Sequence, residues 1–131
     1  MAVERNDVNP WEWSKAWGFS QAVQVSGGER VLYCAGQTAT GPDGAPPTTT
    51  DMGEQVTMSF ANLQTVLEAA GMSIADVVRL TVYTTDVDAF LAGSGAAAEA
   101  LAPNLPAMTL IGVSRLVFPQ LLVEIEATAV R

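Results

Sequence analysis

The residues best placed for chemistry lie in the last third of this chain, where LPAMTLIGVSRLVFPQLLVEIEATAV reads as two strands, at about 107–114 and 121–130. The second strand sets Glu124 among apolar neighbours. Apolar surroundings hold a carboxyl proton to higher pH than water does, so such a group can take up and return a proton near neutrality. Glu124 is therefore the candidate catalytic residue. Glu126 shares its strand face, two residues on, and the competing reading is a pair of solvated or salt-bridged carboxylates at a subunit seam. Arg115 follows Ser114 at a strand end and is a candidate anion binder, against a plain surface or interface role. Met108 and Leu110 share one strand face, where they pack in a core or interface or else line an apolar cleft. Tyr83, on the polar face of its own strand, is a further cleft candidate.

Other chemistries lack their residues. The chain has no histidine, which removes the commonest metal ligand and the commonest general base, and its single cysteine excludes an internal disulfide. Nothing near Cys34 in sequence would stabilise a thiolate, so it reads as a small buried strand residue. Neither a metal nor a cofactor is expected.

The elements that must position these groups follow from periodicity. QAVQV at 21–25 and RVLYCAGQ at 30–37 flank Gly27-Gly28 and read as a hairpin, the second strand being mostly apolar on both faces. GPDGAPPTTT, residues 41–50, concentrates Gly and Pro and reads as an exposed loop. Asp51 with Glu54 has the form of a capping box, and Met52, Val56, Phe60, Leu63, Leu67 and Ala70 recur at helical spacing until Gly71. In VVRLTVYT, residues 77–84, Val78, Leu80 and Val82 alternate with Arg79, Thr81 and Tyr83, as in a strand with one face on the helices. A second helix starts near Asp86 or Asp88 and is broken by Gly93-Ser94-Gly95 before AAAEAL restores propensity; it ends before Pro103. The pattern predicts an α+β fold, with two helices on one face of a mixed sheet and the other face covered by a further subunit.

Composition bounds the rest. With 131 residues the chain fits one domain, residues 1–131, preceded internally by a Trp-rich lead-in at 1–17 that holds Trp11, Trp13 and Trp17. That density of tryptophan points to intersubunit packing or ligand stacking. Charged residues make up 15%, below the quarter or so of an average soluble protein, which predicts surface buried in an oligomer. The net charge of −8 and six scattered basic residues argue against a nucleic-acid partner. No signal peptide or membrane-spanning run is evident, and the expectation is a soluble cytoplasmic protein.

GFSQAV at 18–23, AGQTATGPDG at 35–44, Gln55 with ANLQTVLEAAG at 61–71, DVVRLTVYTTDVDAF at 76–90, LPAMT at 105–109 and LLVEIEATAV at 121–130 resemble, in order and spacing, the signature blocks of the RidA/YjgF family. The resemblance covers the chain from about Gly18 to its end. It implies a chorismate-mutase-like fold, a homotrimer with clefts between subunits, and hydrolysis of enamines and imines to ammonia and a keto acid. It implies site residues at Phe19, Ala35, Gly36, Met108 and Glu124, but with departures. The arginine of the family's PAR motif, which binds a substrate carboxylate, is here Met108. The usual serine is Ala35, and the tyrosine of the GPYSQ block is Phe19; the glutamate of the final strand is kept as Glu124. The implied protein is a trimer that hydrolyses or tautomerises an imine-type compound other than 2-aminoacrylate, or a non-catalytic small-molecule-binding or chaperone-like trimer. Ribonuclease activity, attached to some family members, fits poorly with the acidity and the absence of histidine.

Overall fold

The computed structural model describes residues 3–131. Its strands are β1 (Glu4–Val8), β2 (Ala22–Ser26), β3 (Val31–Tyr33), β4 (Val77–Thr84), β5 (Ala107–Gly112) and β6 (Val123–Val130). Its helices are α1 (Trp13–Ala16), α2 (Met52–Ala69), α3 (Val87–Ala92) and α4 (Gly95–Leu101). The main sheet runs β3-β6-β4-β5; β4 and β5 are parallel and the other pairs antiparallel, so the sheet is mixed as expected.

The long helix follows the predicted stripe. Met52, Val56, Phe60, Leu63 and Leu67 are buried against Leu80, Val82, Val123, Ile125 and Ala127 of the sheet. The predicted capping box is only half made. Asp51 accepts from the Glu54 amide at 2.9 Å, but the Glu54 side chain takes the Thr49 hydroxyl instead of reaching back to Asp51. Gln55 and Ser59 also lie on the buried stripe. Gln55 is fully satisfied: its amide nitrogen donates to the carbonyls of Thr49 (3.0 Å) and Gln120 (2.8 Å), and its oxygen accepts from the Leu122 amide (2.9 Å). It thus ties both the loop before α2 and the entry to β6 to the helix.

The second helical region breaks as predicted, into α3, capped by Asp86, and α4 beyond Gly93-Ser94. Both pack on the same side of the sheet as α2.

Two expectations are corrected. β2 does not form a hairpin with β3; it pairs with β1 in a separate two-stranded sheet, while β3 pairs with β6. β2 offers only Val23 and Val25 as half-buried residues, whereas Leu32 and Cys34 carry apolar groups that the main core can take. β1, ERNDV, is largely polar and exposed and gave no periodic signal. In β4 the core residue is Val77 and not Val78, because a register shift between Val77 and Arg79 inserts one residue against β6.

Candidate functional site

Side chains alternate across a strand, and the sheet therefore divides the candidate residues into two groups. One face is the open side. Glu124 and Glu126 of β6 lie there, opposite Tyr83 and Thr81 of β4 respectively. Tyr33 and Ala35, both exposed, flank them from the β3 side, with Tyr33 80% accessible.

Glu124 owes its placement to Gly36. Tyr33 pairs with Thr128 and the Cys34 amide donates to the Ala127 carbonyl, yet Gln37 pairs with Ile125, so one extra residue is accommodated around Ala35-Gly36. The bulge lays the Gly36 backbone on the Glu124 carboxylate. A Cβ at Gly36 would stand 1.9 Å from Glu124 Oε1, so only glycine permits this approach. The half-buried Glu124 makes no hydrogen bond or ion pair among the described residues. Burial, and then the charge of Glu126 beside it, push its carboxyl above the usual range. Glu126 is engaged differently, accepting from the Tyr83 hydroxyl at 2.5 Å. That bond is the main cause that raises the Tyr83 phenol above its ordinary pKa; burial and the two glutamates add to it, and Arg79 opposes it. The face thus pairs a carboxylate held by a phenol with one left free.

The other group lies on the helix side. Met108 and Leu110 of β5 pair with Leu80 and Val82 and point the same way, into a pocket of about 690 Å³ walled by the chain around Phe19, by Phe90 of α3 and by Leu101 of α4. Phe19 is held edge-on by Trp13, at a centroid distance of 5.8 Å and an interplanar angle of 78°. Within one chain, then, Phe19, Met108 and Leu110 come together, and Ala35, Gly36, Tyr83 and Glu124 come together, on opposite sides of the sheet. Arg115 joins neither group. It is exposed, and its guanidinium donates to the carbonyls of Leu116 (3.1 Å) and Val117 (3.3 Å) in its own loop. Cys34 is a buried core residue whose thiol pKa burial raises.

The pattern of the endoribonuclease L-PSP family matches residues 12–131. The chain belongs to the RidA/YjgF family. A RutC family protein of Pyrococcus horikoshii is 34% identical over 111 residues, 85% of each chain. A 2-iminobutanoate/2-iminopropanoate deaminase of Dermatophagoides farinae is 29% identical over 98 residues, covering 75% of this chain and 74% of its own. The crystal structure of a Yersinia pestis protein of unknown function in the conserved Rid family superposes with a TM-score of 0.88 at 39% identity, over 97% of this chain and 98% of that one.

Some lining residues of this RidA/YjgF chain were beyond sequence reasoning. Phe90, Ser94 and Gly95 line the helix-side pocket, beside Trp17, which the sequence had marked for packing or stacking. The run Gly93-Ser94-Gly95 signalled a helix break, but not that a cavity opens beneath it. Among the described residues, no cluster of metal-binding side chains occurs, and no helix is long and apolar enough to cross a membrane.

Proposed function

We propose that this protein is a homotrimeric hydrolase of imine- or enamine-type compounds, with Glu124 as general acid and base. The observation that carries the reading is the free Glu124 carboxylate, half-buried over Gly36 with its proton affinity raised. In the reaction, the ionised carboxylate takes a proton from a water as the water oxygen bonds to the imine carbon. It passes that proton to the nitrogen, giving a carbinolamine, and then carries the carbinolamine hydroxyl proton to the nitrogen as the C–N bond breaks and the C=O bond forms, leaving a carbonyl compound and ammonia or an amine; an enamine first tautomerises to the imine, its N–H proton exchanged for one on carbon. The deaminase name carried by the Dermatophagoides relative supports this reaction class.

The division of the site supports assembly. Glu124 and Met108 point to opposite sides of one sheet, so a cleft containing both needs the open face of one subunit against the Phe19–Met108 side of another. The net charge of −8 weighs against RNA as the substrate.

Met108 decides what is excluded. A thioether gives a carboxylate no bidentate partner, and an unpaired buried charge typically costs about 3 to 5 kcal/mol, or a few hundred-fold or more in affinity. Deamination of 2-aminoacrylate, followed by keto-acid release in a coupled assay, should therefore be slower than in arginine-bearing relatives by about a hundred-fold or more. An imine without a carboxylate should turn over, and Glu124→Gln should lower that rate about 100- to 10,000-fold with the assembly intact. Unchanged turnover in Glu124→Gln removes Glu124 from the chemistry. Absence of turnover on every imine tried favours a binding protein.

A further inference from the structure

The helix-side pocket differs from the Glu124 face in that, among the described residues, no charged side chain lines it. Its walls are aromatic on one side, where Trp17 and Phe19 stand, and aliphatic below, where Met108 and Leu110 form the floor. Small residues create the space. Gly18 turns at φ +83° and lies so close to α4 that a Cβ there would stand 3.3 Å from the Ala98 side chain; on the far wall, a Cβ at Gly95 would meet nothing within 4 Å. The volume of about 690 Å³ lies within the range of small-molecule sites. Apart from the Trp17 indole N–H, the polar side-chain group in the lining is the Ser94 hydroxyl. It donates to the Leu91 carbonyl at 2.9 Å and so keeps its lone pairs as acceptors.

The geometry points to a binding site for an uncharged aromatic or other planar apolar group carrying a single N–H or O–H, with Trp17, Ser94 and Gly95 as ligand-contacting residues. The inference deepens the proposed function by naming the class of group the substrate presents to this pocket, and it rests on reading the cleft as a small-molecule site. A flat ring displaces water from aromatic and thioether walls and gains on that account. A carboxylate entering the same pocket loses its hydration and meets no cation, and the net charge of −8 repels it on approach.

Isothermal titration calorimetry on the assembled protein at neutral pH, with indole and indole-3-carboxylate as probes, tests this directly. Indole should bind once per subunit, and indole-3-carboxylate at least about ten-fold more weakly. Gly95→Leu puts a bulky side chain on a residue of the pocket lining, at a position where leucine has the better helix propensity; it should weaken indole binding by about ten-fold or more. Glu68→Gln, an exposed α2 position outside the pocket lining, should leave indole binding unchanged. Met108→Arg, as a second variant, should reverse the preference towards indole-3-carboxylate. Equal binding of the two probes overturns the inference. So does indole binding that survives Gly95→Leu, or an absence of indole binding, as when a neighbouring subunit's side chain fills the pocket. Indole binding does not require turnover: if it behaves as expected while no imine is hydrolysed, the hydrolase reading fails and the pocket assignment stands. If imines are hydrolysed while indole does not bind, the pocket assignment alone falls.

Discussion

At the scale of single residues, Glu124 and Gly36 form one unit. The carboxylate can lie where it does because the residue above it has no side chain, and among the described residues it has no partner, since Tyr83 donates to Glu126 instead. Burial raises the folded-state pKa of Glu124 above its unfolded value, so between the two the folded chain binds more protons. Stability is then lost as pH rises out of the ordinary carboxylate range through the raised value, and the loss is complete above it. Glu124→Gln removes that loss. Urea denaturation should show the variant at least as stable as the parent at about pH 8, with the difference gone at about pH 4 and below, where both folded and unfolded carboxyls hold their protons. A variant less stable than the parent at both pH values would mean that the carboxylate makes structural bonds. Gly36→Ala is the complementary change. Its methyl group takes the position of Oε1 and turns the carboxylate away, so imine turnover should fall about as far as in Glu124→Gln, while far-ultraviolet circular dichroism stays that of the parent.

At the scale of elements, α2 does more than cover the sheet. Gln55 fixes the ends of two other segments through three hydrogen bonds, and Asn62 donates to the carbonyls of Thr38 and Thr40 at 2.7 and 3.0 Å, holding the chain that follows the Gly36 bulge. Gln55→Leu retains bulk but leaves two carbonyls and an amide, all in part-buried surroundings, without their partner. A buried group left unsatisfied costs about 1 to 3 kcal/mol and these are only partly shielded, so chemical denaturation should show a loss of about 1 to 3 kcal/mol, large for a chain of this size. A loss below about 1 kcal/mol would show that water replaces all three bonds. The apolar stripe of α2 was legible in the sequence because its period is the helix's own. The role of Gln55 was not, since a glutamine in a helix gives no sign of which distant carbonyls it will meet.

At the scale of the whole molecule, a set of large apolar side chains stands exposed. Val31 and Tyr33 on the open sheet face are 52% and 80% exposed, and Trp11, Trp13 and Trp17 are each more than half exposed. Exposed patches of this kind mark association surfaces on soluble chains. The low charge content of the sequence goes with this exposed apolar surface. Sedimentation velocity at micromolar concentration should give a trimer, and Tyr33→Asp, which puts a charge on the open face, should shift the population towards smaller species. A folded monomer in the parent protein would leave the two halves of the site permanently apart.

The sequence by itself determined the elements whose signals are local: the α2 stripe and its Asp51 cap, the broken second helix, the alternation in β6 and, beyond its bulge, in β4, and the family to which the chain belongs. It also placed Glu124 and Glu126 on one strand face, because a period of two needs no knowledge of the partner strands. Tertiary structure decided which strands pair, seating β3 on β6 and leaving β2 to β1. It also decided that Phe19 and Met108 lie across the sheet from Glu124, and that Gly36 rests on that carboxylate. Pairing and contact depend on which distant surfaces fit together, and a one-residue bulge, such as those at Val77–Arg79 and Ala35-Gly36, changes the face that follows without leaving a local mark in the sequence.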